Sequence, residues 1–126
     1  MEFDFEHGNV LLVDKPLDWT SFDIVKYIRS VCPRKYKVGH AGTLDPKASG
    51  LLIVCTGRKT KIISQIQEQT KTYEAEVTLG ATRPSFDIET EIDQEFDISH
   101  ITVPMIHEVI KQFIGKIEQE TPMYSA

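Results

Sequence analysis

Two short runs of apolar residues on either side of a glycine-rich segment restrict the fold of this chain most. The runs cover residues 10–13 and 51–55, and residues 37–50 contain three glycines and a proline. Short apolar runs bounded by turn residues are typical of buried strands, whereas closely spaced glycine and proline interrupt regular structure. We therefore predict strands over residues 9–14 and 51–56, the first buried on two faces, and an ordered loop over residues 37–49.

The segments around these runs carry further helix and strand signals. Thr20 or Ser21 is a candidate N-cap for a helix that Pro33 ends. Apolar residues on one face predict a second helix over residues 59–69. Apolar and polar residues alternate over residues 72–79, which predicts a strand with one solvated face.

The last third of the chain follows the same mixed pattern. An acidic loop with a short strand near residues 89–92 is followed by a predicted helix over residues 104–114 and a strand that starts at residue 116. The expected fold class is therefore α+β, with a mixed, largely antiparallel sheet and flanking helices.

The composition is that of an ordinary globular chain. Hydrophobic residues make up 40% and charged residues 26% of the 126 residues, a length that fits one domain. The longest apolar run is far shorter than the roughly 20 residues that cross a bilayer. The acidic amino terminus lacks the basic and apolar segments of a secretory signal. We therefore expect a cytoplasmic protein with no membrane partner.

The spacing of cysteine and histidine gives no indication of a metal site. Cys32 and Cys55 lie in apolar settings outside any CxxC pattern, so buried free thiols are expected there. The four histidines show no HExxH or HxH spacing. No bound metal is expected.

Charge is distributed unevenly along the chain. The formal net charge of -5 by itself argues against a nucleic-acid partner. Residues 14–61, however, carry ten basic and four acidic side chains, whereas residues 62–126 carry four basic and twelve acidic ones. Such segregation can create a local phosphate-binding face, although the two signs could also interleave after folding. Arg58, Lys59 and Lys61 are candidates either for phosphate contacts or for an ordinary solvated face.

The segment from His40 to Pro46 is the densest candidate for a functional site. Its glycines allow the backbone to approach a ligand closely, and Asp45 could serve as a nucleophile or a general base. The alternative is an Asx turn, in which the Asp45 carboxylate only accepts hydrogen bonds from nearby backbone amides. His40 could contact a phosphate or base edge, or be structural. Tyr73 could stack on an unpaired base, or belong to the core.

Four segments, taken in their order along the chain, indicate a function. They are VDKPLDWTSFDIVKYIR at residues 13–29, VGHAGTLDPKASGLLIVCTGRKTK at 38–61, KTYEAEVTLG at 71–80 and QETPMYSA at 119–126. Together they resemble the successive motifs of the TruB-type tRNA pseudouridine(55) synthases. The string GHAGTLDP, with Asp-Lys-Pro upstream and Lys-x-Tyr downstream, carries most of the specificity.

The resemblance implies a role for each motif residue. Asp45 would be the catalytic nucleophile, and His40 and Tyr73 would bind the flipped uridine. Asp14, Lys15 and Pro16 match the motif that builds and braces the site in this family. The other supporting positions are those of the loop, namely Gly42, Thr43, Leu44 and Pro46.

The resemblance also implies a reaction and a partner. The reaction is the isomerisation of uridine 55 in the T loop of tRNA to pseudouridine, and it needs neither cofactor nor metal. The base must leave its stack before its glycosidic bond can be reached. The covalent adduct could form at the sugar or on the pyrimidine ring. The expected partner is the T arm of tRNA, bound by an intact enzyme that is monomeric.

Some features depart from the family pattern. Residues 83–87 differ from the usual sequence after Gly80, with only Asp87 kept, and Asp18 stands where glycine is common. Family members also continue beyond the Pro-x-Tyr-Ser-Ala motif into strands that supply an arginine partner for the aspartate, and often into a small RNA-binding domain. We therefore expect residues 1–126 to be a partial catalytic domain, inactive alone. The alternative is a non-catalytic RNA-binding module.

Overall fold

The computed structural model describes residues 3–4, 7–32 and 36–119, and the chain divides into two compact units. The first unit ends at Thr72 and the second begins at Tyr73. The elements of the first unit are, in chain order, β1 (Val10–Lys15), α1 (Ser21–Val31), β2 (Val38–His40), β3 (Gly50–Thr56), a 3-10 helix (Gly57–Ile62) and α2 (Ile63–Gln67).

The three strands of the first unit form an antiparallel sheet in the order β1-β3-β2. The central strand β3 pairs with the whole length of β1, from Val10 opposite Cys55 to Lys15 opposite Gly50. It pairs with β2 at its carboxyl-terminal end. Both ends of the loop that joins β2 to β3 are therefore attached to the same sheet.

Helix α1 and the sheet enclose the core of the first unit. Apolar burial supplies the main driving force for folding, and the most buried strand is β3 in the centre of the sheet. Cys32 and Cys55 are both buried free thiols, as predicted, and burial raises the pKa of each thiol. The buried residues of the core cluster are Ile24, Val25, Cys32, Val38, Leu52 and Val54.

Helix α1 begins at a capping box formed by Thr20 and Asp23. The Thr20 hydroxyl accepts a hydrogen bond from the Asp23 amide at 3.0 Å, and the Asp23 carboxylate accepts one from the Thr20 amide at 3.0 Å. These bonds satisfy two amides at the open end of the helix, and the hydrogen bonds from Thr20 hold the pKa of Asp23 below its ordinary value. Of the two predicted caps, the cap is Thr20, so the Ser21 side chain is available for contacts outside the helix. Pro33, the predicted helix end, lies outside the described residues.

The second unit contains a two-stranded sheet and one helix. Strands β4 (Ala81–Thr82) and β5 (Gln94–Glu95) pair antiparallel, and helix α3 (Val103–Ile110) continues into a 3-10 helix (Lys111–Phe113). The Thr82 hydroxyl donates to the Asp93 carboxylate at 2.6 Å beside the strand pair. No residue of this unit within the described range 73–119 is buried.

The fold class is α+β with antiparallel sheets, as the sequence predicted. The predicted strand over residues 72–79 is wrong, because these residues are exposed and lie outside every helix and strand. Alternation defines an amphipathic surface, but a strand also needs a hydrogen-bonded neighbour, and no described strand pairs with this segment. The strand predicted from residue 116 is likewise not formed up to residue 119.

Three further predictions need correction within elements. The loop predicted over residues 37–49 begins with strand β2, which is too short to show a periodic pattern. Strand β1 is not buried on both faces, since Leu12 is 72% exposed. The short strand expected near residues 89–92 lies instead at β5, and the helix predicted over 59–69 is divided into a 3-10 helix and α2. None of the described helices is long and apolar enough to cross a membrane.

Candidate functional site

The candidate site is the loop of residues 41–49 that joins β2 to β3. The Ala41 amide donates to the Ile53 carbonyl at 2.8 Å, which extends the β2–β3 pairing one residue into the loop. Gly42 then adopts a φ of 116°, in a region that side chains with a β-carbon rarely enter. The loop thus leaves the sheet through a turn that requires glycine at position 42.

Ser21, the first residue of helix α1, fixes the loop at Leu44. Its hydroxyl donates to the Leu44 carbonyl at 3.1 Å and accepts from the Leu44 amide at 2.9 Å. Ser21 is 3% exposed, so both bonds are largely shielded from water. The hydroxyl thus uses both its donor and its acceptor on Leu44. These two hydrogen bonds hold the backbone in place directly before Asp45.

Lys15 and Asp18 fix the loop at Pro46, on the other side of Asp45. Lys15 is fully buried, and its ammonium group donates to the carbonyls of Trp19 at 2.7 Å, Pro16 at 3.0 Å and Pro46 at 3.4 Å. The backbone amide of Asp18 donates to the same Pro46 carbonyl at 2.8 Å. A lysine has three N–H donors, and all three are used here to join the turn after β1 to the loop.

Asp45 lies between these two anchors and is exposed. Its backbone carbonyl accepts a hydrogen bond from the Ala48 amide at 3.0 Å, which closes a four-residue turn with proline at the second position. Its carboxylate has no hydrogen bond or ion pair with another described residue. The Asx turn that the sequence left open is therefore not formed, and the side chain of Asp45 is exposed.

An ion pair adds a third connection between the turn after β1 and the loop. The Lys47 ammonium donates to the Asp18 carboxylate at 2.6 Å, and this hydrogen bond lowers the pKa of Asp18 below its ordinary value. Asp18 has a φ of 64°, in the left-handed region that favours glycine. Aspartate tolerates this conformation better than most residues, and its side chain here reaches the residue two positions after Asp45.

His40, at the end of β2, turns its ring toward the loop. Its Nδ1 lies 2.5 Å from the Gly42 carbonyl oxygen. Because a carbonyl only accepts, Nδ1 carries the proton of this hydrogen bond, and in a neutral ring Nε2 is then the acceptor nitrogen. The contact fixes both the ring orientation and the tautomer.

The residues predicted for the site are divided between the two units. His40, Lys15, Pro16 and the loop positions Gly42, Thr43, Leu44, Asp45 and Pro46 belong to the first unit. Tyr73 is the first residue of the second unit, where it is 66% exposed, so the alternative that it is a core residue is wrong. Within the described residues there is no cluster of three or more histidine, cysteine or acidic side chains that could hold a metal ion.

Two positions of the site were not predicted from the sequence. The sequence predicts Ser21 only as a helix cap and predicts no role for Lys47. Their partners, Leu44 and Asp18, lie 23 and 29 residues away in the sequence. A signal was present for Ser21, because only one of two adjacent candidate caps can occupy the N-cap position, which leaves the other side chain for a different contact.

The sequence of this chain matches a known protein family over most of its length. Residues 29–126 match the model of the TruB family of pseudouridylate synthases, N-terminal domain. This match covers most of the chain, so the chain belongs to the TruB family of pseudouridylate synthases.

Curated relatives are similar over almost the whole chain. The tRNA pseudouridine synthase B of Flavobacterium johnsoniae is 50% identical, with 98% of this chain and 56% of the relative aligned. Proteins of the same name from Phocaeicola vulgatus and Chlorobium chlorochromatii are each 52% identical, over 98% and 94% of this chain and 54% and 48% of the relatives. The chain thus spans about half the length of the curated relatives it matches.

Proposed function

We propose that the full-length protein isomerises uridine to pseudouridine in tRNA, at position 55 of the T loop. The names of its relatives support tRNA as the substrate, and the GHAGTLDP string supports the T-loop uridine. A tRNA substrate is consistent with action in the cytoplasm and with the T arm as the contacted region.

One observation carries this proposal most directly. The Asp45 carboxylate is exposed and unpartnered within the described residues, while the residues on either side of it are anchored by Ser21 and Lys15. A nucleophile needs an accessible lone pair at a fixed position, and an exposed carboxylate on an anchored loop provides this. Asp45 meets both requirements, because its backbone lies between anchored neighbours and its carboxylate is exposed.

The reaction fits a carboxylate that acts without a cofactor. The bond between N1 of uracil and C1′ of ribose breaks, and a bond between C5 and C1′ forms. The proton lost from C5 is matched by one gained at N1, so no oxidant, reductant or co-reactant is required. Asp45 can form its transient bond either to C1′ or to the pyrimidine ring, and it leaves as a carboxylate in either case.

The remaining residues hold the substrate or the loop. We assign His40 and Tyr73 to the flipped uridine, with the acceptor Nε2 of His40 available to an N–H or hydroxyl of the nucleotide and Tyr73 to stacking on the base. Lys15 and Pro16 supply the turn that holds Pro46, and the loop positions Gly42, Thr43 and Leu44 set the path to Asp45.

Release of tritium from C5 tests this function. With tRNA tritiated at C5 of its uridines, the full-length protein should release the label of one uridine per tRNA, because only C5 of the isomerised base loses its hydrogen. A transcript with cytidine at position 55 should release none. Binding without release would instead identify a non-catalytic RNA-binding protein, and release that persists from the cytidine transcript would contradict the assigned position.

A further inference from the structure

A cleft in the first unit lies outside the residues assigned to the uridine. Its volume is about 500 Å³, which is within the usual range for sites that hold a nucleotide-sized ligand. The residues that line it come from the end of α1, the segment leading into β2 and the 3-10 helix after β3: Arg29, Tyr36, Lys37, Val38, Gly39 and Thr60.

The cleft is basic, although the protein as a whole is acidic. Two cations, Arg29 and Lys37, line it, and none of the described residues that line it is acidic. Lys59 and Lys61 stand on either side of Thr60 in the 3-10 helix and are exposed. A protein with a net charge of -5 repels a polyanion at long range, so RNA binding requires such a local concentration of positive charge.

The guanidinium group of Arg29 is partly fixed in place. One guanidinium nitrogen of Arg29 donates to the Val38 carbonyl at 3.1 Å, which holds that edge of the group against β2. An arginine has five N–H donors in a planar fork, so the other donors can bind a phosphate oxygen. Gly39 and the aromatic residue Tyr36 line the same cleft as the two cations.

We propose that this cleft binds a backbone phosphate of the tRNA, at a nucleotide other than the one isomerised, with the neighbouring base or ribose against Tyr36. The proposal rests on the proposed function for the identity of the RNA. Phosphate contacts fix the register of a nucleic acid on a protein and do not read its sequence. The cleft therefore positions the tRNA relative to Asp45 and contributes to KM more than to kcat.

The test removes the two charges while keeping hydrogen-bond donors. Arg29→Gln, Lys37→Gln and the double variant are made in the full-length protein, with Lys26→Gln as the control. Lys26 lies on the same helix, pairs with Asp23 at 3.6 Å and is not a cleft residue. Dissociation constants for tRNA are measured across a range of salt concentrations, and turnover is measured with saturating tRNA.

Each cleft variant should weaken tRNA binding several-fold and reduce the slope of log affinity against log salt by about one, and the double variant by about two. The control should lower the slope much less, and kcat should stay within about twofold in all variants. Equal slopes in wild type and cleft variants, or an equal loss in the control, would overturn the proposal. If the Arg29→Gln variant is poorly folded, the salt dependence of tRNA binding by the Lys37→Gln variant alone tests the proposal.

A second arm separates an RNA phosphate from a free one. Uridine monophosphate and inorganic phosphate are titrated against wild type and the double variant. If the variant loses binding of either small anion but keeps full tRNA affinity, the cleft serves a free ligand and the proposal is wrong. Because binding is measured apart from turnover, a protein that binds tRNA through the cleft but forms no pseudouridine would contradict the proposed function and leave the cleft assignment standing.

Discussion

At the scale of single residues, the site depends on polar side chains that hold backbone rather than substrate. The Asp45 carboxylate has no partner among the described residues, while Leu44 and Pro46 beside it are tied to distant elements. The motif predicted which residue carries the carboxylate, because Asp45 lies within a specific string. It could not predict the hydrogen bond of Ser21, since contacts between residues 21 and 44 follow from how α1 packs on the sheet.

We expect Ser21→Ala to impair turnover without weakening tRNA binding. The change leaves the Leu44 amide and carbonyl without their buried partner, at a cost of about 1–3 kcal/mol in unfolding free energy. The displaced loop should lower kcat about tenfold or more at unchanged KM. Ser30→Ala is the matched control, because Ser30 lies on the same helix and its hydroxyl donates to the Tyr27 carbonyl. Loss of kcat in both variants, or in neither, would show that Ser21 does not position the loop.

The Asp18–Lys47 pair should contribute a pH-dependent part of stability. The folded-state pKa of Asp18 is lowered by the hydrogen bond from Lys47, so its contribution is complete above the unfolded-state pKa of about 3.9 and is lost as the pH falls through the lower folded-state value. The stability difference between wild type and Asp18→Asn should therefore be constant from pH 5 to 7 and shrink below pH ~4. Urea unfolding at several pH values measures it. The same substitution in a Lys47→Gln background should show little pH dependence, and an equal dependence there would contradict the assignment.

At the scale of elements, the sequence predicted the helices and strands whose signals lie within their own residues. Strand β3 follows from its apolar run, and α1 follows from the Thr20 cap. Strand β2 and the segment 72–79 were assigned wrongly, because the presence of a strand depends on a neighbour that is not visible in local sequence. β2 is only three residues long and contains a glycine, yet it is a strand because β3 pairs with it.

Gly8 sets how closely the start of β1 approaches the end of β3. It has a φ of 84°, and a β-carbon at this position would lie 1.9 Å from the Thr56 carbonyl oxygen. Gly8→Ala should therefore reduce the unfolding free energy more than Gly50→Ala, where φ is also positive but the space is open. The left-handed conformation alone costs about 1–2 kcal/mol. Equal costs from denaturant unfolding of the two variants would refute the close approach at Gly8.

At the scale of the whole molecule, the buried core and the positive charge are distributed unevenly between the two units. All buried residues among those described lie in the first unit, and so does the basic segment of residues 14–61. The anchored loop, the His40 contact and the basic cleft all belong to this unit as well. The sequence indicated this concentration through its charge distribution, but the cleft itself is formed by three separate segments and has no local signature.

The central claim is that Asp45 performs the chemistry, and mapping pseudouridine in tRNA tests it most directly. Full-length wild type, Asp45→Asn and a control Asp97→Asn are incubated with unmodified tRNA, and position 55 is mapped chemically. Asp97 is an exposed carboxylate of the second unit whose partners are the amide and hydroxyl of Ser99. We expect full modification by wild type and control, and none by Asp45→Asn, with tRNA affinity kept within about twofold. Modification of position 55 by Asp45→Asn at a rate near that of wild type would contradict the claim.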